Sequence, residues 1–262
     1  GGHGHDAVGF FHTPAGDVAQ RGWAVGIQRH HRQGHGGIGD VVAVERDAFE
    51  WPSATVDFEP VGAAGDLGTH VGDHVEDVLA NRAIFSTGLP TEPLWLEQTH
   101  STVVSTPSSR AKNTVGRIFA DASVTNIPNE VLVIMTADCL PVLLTNSQGT
   151  AVGAAHAGWR GLCAGVLENT VAELLNFTDE KNPENLMAWL GPAIGPEEFE
   201  VGQDVVLAFQ ESGHAVPENS FKSIENKPGK FLANIYQLAR GRLDACGVKM
   251  ISGGQYCTVK ER

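Results

Sequence analysis

The sequence predicts an α+β fold built as a layered sandwich, in a chain of 262 residues. Short apolar runs typical of strands and longer segments with helical periodicity both occur. They do not follow the regular strand–helix alternation of a parallel α/β fold. With 42% hydrophobic and 19% charged residues, the composition is that of a soluble globular protein that can bury a sizeable core.

Three segments space their apolar residues at helical intervals and therefore predict helices. The first spans residues 73–85, with Asp73 as its predicted N-cap. The second spans residues 163–176 and is amphipathic. The third spans residues 231–246 and ends at Gly247, a residue type that commonly terminates helices.

Six short apolar runs bounded by turn residues predict strands. They cover residues 94–96, 131–136, 140–145, 150–155, 186–190 and 248–251. The acidic stretch 179–184, which contains a proline, and the polar stretch 211–230 have the composition of surface loops. Helices and strands together supply the layers of the predicted sandwich.

The first 66 residues differ in composition from the rest of the chain. They contain no Leu, Lys, Asn or Cys, but they hold 13 of the 31 glycines and six of the 11 histidines: His3, His5, His12, His30, His31 and His35. These histidines are irregularly spaced on a Gly-rich segment, which argues against a metal site there. Within the same segment, Val41–Val44 has the composition of a strand. We therefore divide the chain into an atypical Gly/His-rich segment of doubtful order, 1–66, and a single domain, 67–262.

Charge and hydropathy exclude two classes of partner. The chain has 18 Lys and Arg against 31 Asp and Glu, a formal net charge of −13, and no basic stripe offers a site for nucleic acid. No apolar run approaches the ~20 residues of a membrane helix, and the start of the chain does not resemble a signal peptide. Four cysteines in a chain this long predict reduced thiols in a cytoplasmic enzyme.

Three residues with metal-ligating side chains lie where predicted strands end. His100 follows the run 94–96, Cys139 lies between two apolar runs, and His156 closes the strand 150–155. Side chains at such positions are held by a rigid sheet and are accessible to a ligand. Two imidazoles and one thiolate are three zinc ligands that leave a fourth position for water, whose pKa zinc lowers to about 7. This donor set is typical of a hydrolytic site.

The same three residues are open to plainer interpretations. The separations of 39 residues between His100 and Cys139 and of 17 residues between Cys139 and His156 match no short zinc motif. A buried Cys between strands is often only a small apolar side chain. A further alternative is a metal-free dyad of Cys139 and His156, in which the imidazole deprotonates the thiol for nucleophilic attack.

Three motifs, in this order, closely resemble those of one bacterial family. They are Leu94-Trp-Leu-Glu-Gln-Thr-His100, Met135-Thr-Ala-Asp-Cys-Leu-Pro-Val-Leu143 and Ala155-His-Ala-Gly-Trp-Arg-Gly161. The family is that of the bacterial laccase-like proteins, also named multicopper polyphenol oxidases and later purine nucleoside phosphorylases, with relatives that edit peptidoglycan. The resemblance covers about residues 67–259 and includes Ala120-Asp-Ala122.

The resemblance implies a fold, a set of metal ligands and a range of activities. The implied fold is a layered αββα sandwich with mixed sheets, distantly similar to cysteine hydrolases. The implied ligands are His100, Cys139 and His156, with zinc as the metal and copper as the alternative. The implied activities are phosphorolysis of adenosine, inosine, guanosine and methylthioadenosine, and deamination of adenosine.

The family also includes two other kinds of activity. One is an amidase that removes wrongly incorporated amino acids from peptidoglycan precursors, and the other is copper polyphenol oxidation. A multicopper oxidase needs many more His ligands than these three, so we expect purine nucleoside chemistry, with the amidase as the alternative. A closed zinc module with Cys163 as the fourth ligand is a non-enzymatic alternative.

Further roles follow from position within the motifs. Asp138, next to Cys139, is a candidate catalytic residue that shuttles a proton in deamination, or one that orients the turn or a ligand imidazole. Arg160 is a candidate catalytic and phosphate-binding residue, with a structural salt bridge as its alternative. Gln98 is a candidate for hydrogen bonding to the substrate. The predicted catalytic residues are therefore Asp138, Cys139 and Arg160.

The resemblance weakens at both ends of the domain. The family usually has a Ser-Thr-Arg-x-Gly-Gly-Val-Ser stretch that leads to Asn-Leu-Gly, whereas this chain has Asp66-Leu67-Gly68. After Cys257-Thr258 the family continues into a further strand that is missing here. We therefore expect a domain that is truncated at its C-terminus.

Overall fold

The computed structural model describes residues 22–28, 40–48, 67, 74–87, 89–113, 116–179 and 181–260, the first two ranges by their backbone. Three predictions fall outside these ranges: the N-cap Asp73, the family departure at residues 66 and 68, and the six histidines before residue 66. The division of the chain at residue 66 stays a prediction. The strand-like run Val41–Val44 is confirmed, because it lies within a strand that spans Asp40–Ala48.

Twelve strands and six helices form the described part of the chain. The strands are β1 (Gly22–Gln28), β2 (Asp40–Ala48), β3 (Val104–Ser105), β4 (Ala122–Thr125), β5 (Leu132–Thr136), β6 (Leu140–Asn146), β7 (Val152–Ala157), β8 (Leu186–Leu190), β9 (Glu200–Gly202), β10 (Phe221–Ser223), β11 (Lys230–Ala233) and β12 (Met250–Gly253). The helices are α1 (Val75–Ser86), α2 (Pro107–Ala111), α3 (Trp159–Ala164), α4 (Val166–Leu175), α5 (Gln203–Glu211) and α6 (Ile235–Ala245).

The strands form three sheets. The largest has six strands in the order β12-β8-β6-β7-β4-β3, and its β12–β8 and β3–β4 pairs are parallel whereas the other pairs are antiparallel. A second sheet, β1-β2-β5, and a third, β10-β11-β9, are antiparallel. The largest sheet is therefore mixed, as predicted.

The two sheets that contain β5 and β7 pack face to face. Successive side chains of β5 point to opposite faces of its sheet, as strand geometry requires. Leu132 and Ile134 are buried between the sheets, in one cluster with Trp189 of β8. Val133 points to the other face and packs with Phe85 of α1. This places α1 on the outside of the smaller sheet.

Helices cover the opposite face of the six-stranded sheet. Leu140, Val142 and Leu144 of β6 are buried in a cluster with Leu174 of α4 and Leu243 of α6. The resulting order is helix, sheet, sheet, helix. It confirms the predicted α+β class and the layered αββα arrangement with a mixed sheet.

The second predicted helix, 163–176, is in fact two helices. It is interrupted at Gly165, which has a φ of 104° and separates α3 from α4. The N–H of Gly165 donates to the carbonyl of Gly161 and closes the last turn of α3. The apolar periodicity continues across the break, so the pattern did not reveal it.

The third predicted helix, 231–246, was wrong at its start. Residues 230–233 form β11, which pairs with both β9 and β10. Helix α6 begins after Asn234, whose side chain accepts a hydrogen bond from the N–H of Gln237. A short apolar run does not distinguish the first turn of a helix from a strand. The same hairpin places β10 within the stretch 211–230, which was predicted as a loop.

Smaller corrections concern the ends of elements. The run 94–96 forms one isolated bridge, Leu94 with Leu132, instead of a strand, and Glu97 just after it bridges Phe119. The N-cap of α1 is His74, which makes no side-chain capping hydrogen bond. β7 extends to Ala157, so His156 lies within the strand and not beyond its end. A short 3-10 turn, Pro183–Asn185, begins within the predicted loop 179–184.

Among the described residues, none of the helices has both the length and the apolar character that a bilayer-spanning segment needs.

We expect Gly165→Ala to lower the free energy of unfolding by about 1–2 kcal/mol, because a Cβ disfavours a positive φ of this size. Crowding is not the cause, since the nearest atom to an added Cβ would be Oε2 of Glu168 at 3.6 Å. Equilibrium denaturation measures the change. Ala164→Ser, one position earlier on the exposed surface, is the control and should stay within about 0.5 kcal/mol of the parent. Equal stability of the two variants would contradict the prediction.

Candidate functional site

Three segments that are far apart in the sequence bring His100, Cys139 and His156 together. His100 ends a loop that runs beside β5, Cys139 lies in the turn between β5 and β6, and His156 lies on β7. One ligand atom from each of the three side chains lies within 4.8 Å of the other two. Sγ of Cys139 is 3.7 Å from Nε2 of His100. We call this group the His-Cys-His cluster.

The two imidazoles of the cluster occupy different environments. The ring of His156 is buried and meets the ring of His100 edge-on, with 4.8 Å between the ring centroids. His100 is exposed, and its backbone has a φ of 61°. This left-handed conformation is rare for a residue other than glycine and persists only where the surroundings enforce it.

A fully buried carboxylate, that of Asp121, enforces the conformation of His100. Its Oδ2 accepts hydrogen bonds from the N–H groups of Thr99 and Ser101 and from the Ser101 hydroxyl, over 2.6–3.1 Å. Its Oδ1 accepts from the N–H of His100 at 2.8 Å and from Nδ1 of His156 at 2.9 Å. One side chain therefore holds the backbone of one ligand and the ring of another.

The electrostatics of the cluster follow from these hydrogen bonds. Burial by itself would raise the pKa of Asp121, but hydrogen bonds from His156 and Ser101 hold that pKa well below its usual range. Burial disfavours a charged His156, yet hydrogen bonds with Asp121 and Cys139 raise its pKa to about 9. Because Nδ1–H of His156 is bound to Asp121, Nε2 is the nitrogen left for a metal ion or for the thiol.

The absence of a side chain at Gly158 leaves room for the cluster. A Cβ at this position would lie 2.7 Å from Cδ2 of His100 and 3.0 Å from Sγ of Cys139. Its φ of −60° is accessible to any residue, so the requirement for glycine is one of space. Gly158 also caps the N-terminus of α3, and the helix therefore starts directly beside the cluster.

The donor set of the cluster fits a zinc ion. A thiolate sulfur and an imidazole nitrogen bound to one tetrahedral zinc lie roughly 3.5 Å apart, close to the 3.7 Å observed between Cys139 and His100. The third donor, on His156, is oriented by Asp121, as ligand imidazoles in metal sites commonly are by a carboxylate. Three protein ligands leave one coordination position for water or substrate. The cluster is thus a group that could hold a metal ion.

The acid that orients the ligand imidazole is Asp121 and not Asp138. The Oδ1 of Asp138 accepts from the hydroxyl of Thr258 at 2.7 Å, and its carbonyl accepts from the N–H of Ile194. These bonds attach the turn that carries Cys139 to the C-terminal segment. A catalytic role for Asp138 stays a prediction.

The two remaining predicted residues have contrasting surroundings. The exposed guanidinium of Arg160 lies 4.4 Å from the centroid of the Trp159 ring, and it pairs with no carboxylate of the described residues. The amide of Gln98 is engaged with the main chain of Met135, as donor at 2.8 Å and as acceptor at 2.9 Å. Gln98 thereby joins the His100 loop to β5. The predicted contacts of both residues with substrate stay predictions.

Sequence reasoning did not assign roles to Asp121 and Gly158, and it considered Cys163 as a further ligand. Cys163 packs against the helix-side core and is not part of the cluster. The sequence did contain a signal for Asp121, an acidic residue between two alanines. An acidic side chain in such an apolar setting is almost never fully buried unless it is paired, so this position indicated a carboxylate with specific partners. Gly158 carried no signal, because its role depends on two residues distant in sequence.

Comparison with known proteins gives consistent matches. The sequence model of the family described as multi-copper polyphenol oxidoreductase laccase matches residues 57–262. The Escherichia coli K12 protein named purine nucleoside phosphorylase YfiH is 50% identical over 198 residues, which cover 75% of this chain and 76% of that protein. The Haemophilus influenzae protein named purine nucleoside phosphorylase is 46% identical over 203 residues, which cover 75% and 78%.

Solved structures are similar as well. A Neisseria meningitidis protein is 43% identical, with a TM-score of 0.67 and 84% of each chain covered. The Bacillus licheniformis hypothetical protein YfiH is 26% identical, with a TM-score of 0.68, and the match covers 85% of this chain and 84% of that one.

We expect Asp121→Asn to weaken metal binding by about ten- to a hundred-fold, as loss of a carboxylate partner of a ligand imidazole commonly does. Both oxygens of Asp121 accept hydrogen bonds, whereas the amide of Asn has only one acceptor oxygen. Either His156 or the His100 loop would therefore lose its hydrogen bond to this residue. Competition with a chromophoric chelator measures the affinity. Ser101→Ala removes one donor but keeps the contact with His156, and it should cause a much smaller loss. Similar losses in both variants would contradict the orienting role.

We expect Gly158→Ala to weaken metal binding by about ten-fold or more, because the added methyl group would displace the His100 ring and the Cys139 thiol. The backbone conformation at this position is compatible with Ala and the His100 side chain is exposed, so the free energy of unfolding should fall by no more than about 1 kcal/mol. Metal affinity and denaturation are measured on the same preparation. Unchanged affinity would show that the cluster is less crowded than the structure indicates.

Proposed function

Because the chain belongs to the family of multi-copper polyphenol oxidoreductase laccases, we propose that it is a metal-dependent enzyme acting on purine nucleosides. The observation that carries the proposal is the His-Cys-His cluster, whose three donor atoms lie within 4.8 Å of one another. Three protein ligands would leave one coordination position of a zinc ion for water or substrate. The names of relatives that are 50% and 46% identical support purine nucleosides as the substrate class. Zinc is the proposed metal because the donor set suits it.

The proposed reactions are phosphorolysis of adenosine, inosine, guanosine and methylthioadenosine, and deamination of adenosine. In phosphorolysis a phosphate oxygen bonds to C1′ of the sugar, the bond from C1′ to N9 breaks, and the base takes up a proton. In deamination water adds at C6 of the purine and ammonia leaves. When bound at the cluster, a zinc ion supplies a Lewis acid and makes water a nucleophile at neutral pH.

Arg160 is the proposed phosphate-binding residue. Its exposed guanidinium has no ion-pair partner among the described residues, so its donors are available to an anion. Arg160 follows Gly158 by two residues on α3, and Gly158 lies against His100 and Cys139, so Arg160 belongs to the end of the helix next to the cluster. An Arg side chain binds phosphate through parallel hydrogen bonds that also orient it.

Asp138 and Gln98 are assigned supporting roles. Asp138 precedes Cys139 in the chain and is proposed to carry the proton that deamination transfers to the leaving ammonia. Its hydrogen bond from Thr258 holds the carboxylate in place beforehand. Gln98 is proposed to face the substrate with the amide proton that its bonds to Met135 do not use.

A second candidate function, the metal-free amidase, is favoured by one specific contact. His156 lies between Cys139 and Asp121, with hydrogen bonds to both. In space, the three side chains therefore follow one another as nucleophile, base and orienting acid, which is the arrangement that thiol hydrolases use. A peptidoglycan precursor carrying a wrongly incorporated serine or alanine is the corresponding substrate.

The proposed location is the cytoplasm, and copper is the alternative metal. All four cysteines are free thiols, as expected in a reducing compartment. The cluster is the single group of three metal-ligating residues found in the described part of the chain. Several coppers in fixed order need more donors than one such group, which argues for a single-metal site.

We expect His100→Ala and Cys139→Ala to lower bound zinc and adenosine turnover together, by about a hundred-fold or more in turnover, because each removes one of three ligands. Metal content is measured by mass spectrometry, and products are separated after incubation of adenosine with and without phosphate. Cys246→Ala removes a half-buried thiol outside the cluster and serves as the matched control, which should keep both metal and turnover.

Two outcomes would contradict the proposal. Full adenosine turnover by the chelated protein would exclude a metal-dependent reaction. Release of serine or alanine from a muramyl substrate by the chelated protein, without adenosine turnover by the zinc form, would favour the thiol amidase instead.

A further inference from the structure

A cavity of about 450 Å³ opens along α3 and the C-terminal end of α5. Helix α3 contributes Trp159, Arg160 and Cys163 to its walls, and the end of α5 contributes Glu211 and Ser212. The volume lies within the range of small-molecule sites, roughly 300–1,000 Å³. We call this cavity the α3–α5 cleft.

The α3–α5 cleft begins beside the His-Cys-His cluster. Gly158, which lies against His100 and Cys139, is the N-cap of α3, and Arg160 follows two residues later in the wall of the cleft. Trp159, the residue directly after Gly158, also lines the cleft. Helix α3 therefore has its N-terminus against the cluster and its following residues in the wall of the cleft.

A buried cation joins the two walls of the cleft. Arg242 of α6 is 2% exposed, and its NH2 group donates to the carbonyl of Cys163 at 3.1 Å and to the hydroxyl of Ser212 at 3.0 Å. Its NH1 group donates to Glu168 of α4 at 2.9 Å. The guanidinium thus connects α3, α4 and the end of α5. The cleft is preformed, because hydrogen bonds from this buried guanidinium hold its two walls together.

The rim of the cleft has polar groups that the protein does not use. Glu211 is exposed, and its carboxylate accepts no hydrogen bond and makes no ion pair within the described ranges. Arg160 is likewise unpaired there and lies at the end nearer the cluster. His214, also on the rim, has its Nδ1 3.6 Å from Glu168. The cleft therefore offers a cation near the reacting end and a carboxylate acceptor farther away.

We propose that the α3–α5 cleft is the ribose subsite of the enzyme, where the carboxylate of Glu211 accepts hydrogen bonds from the hydroxyls of the sugar. The purine then lies against the His-Cys-His cluster, and Arg160 lies between the two. A carboxylate suits this task because hydroxyl donors bind it through strong charge-assisted hydrogen bonds, as acidic residues do for ribose in dinucleotide sites. This inference rests on the proposed function, since it assumes a nucleoside at the cluster.

The test compares binding of adenosine, 2′-deoxyadenosine and adenine by calorimetry to the zinc-loaded full chain. The wild type should bind adenosine about ten-fold more tightly than 2′-deoxyadenosine, which is the usual effect of one hydrogen bond to a charged group. Glu211→Ala should reduce that preference to within about two-fold and leave adenine binding unchanged. Glu225→Ala, another exposed carboxylate on the β10–β11 hairpin, should keep the preference of the wild type.

The outcomes separate the subsite from the proposed function. A wild-type preference that Glu211→Ala leaves intact, or a wild type that does not distinguish or does not bind the two nucleosides, would overturn the subsite. Turnover of adenosine is followed on the same preparations. If adenosine is turned over but the preference for adenosine over 2′-deoxyadenosine does not depend on Glu211, only the subsite is wrong. If that preference depends on Glu211 but no product forms, only the proposed function is wrong.

Discussion

The carboxylate of Asp121 is the constraint on which the candidate site depends. It is fully buried, and it is satisfied by donors from two separate parts of the chain: the loop that carries His100 and the strand that carries His156. A buried charge without such partners would be strongly unfavourable, so the loop and the strand are held to it. The left-handed backbone of His100 is the visible cost of this arrangement.

The layered architecture explains why the site forms at this edge of the sandwich. The two packed sheets bring the turn after β5 next to the end of β7, and the start of α3 meets both at Gly158. On the other side of α3, the buried Arg242 holds the helix to the end of α5. The cluster and the cleft therefore share one short helix, and its position is set by packing on both sides.

The same constellation of side chains accommodates two chemistries. Cys139, His156 and Asp121 have the connectivity of a thiol nucleophile, its base and an orienting acid, and with His100 the group has three donors that could hold a metal ion. The two chemistries exclude each other at Cys139, because its sulfur cannot bind a metal ion and act as a free nucleophile at the same time. This is a physical reason why both phosphorylase and oxidoreductase names occur among relatives of one fold, since function depends on the site and not on the fold.

The sequence by itself determined the α+β class, the strands β5, β6 and β8, helix α1 and the identity of the three clustered residues. These features are encoded by local periodicity and by motifs of neighbouring residues. Tertiary structure alone decided the break at Gly165, the pairing of β11, the role of Asp121 and the space beside Gly158. Each of these depends on contacts between residues far apart in the chain, and no local pattern contains that information.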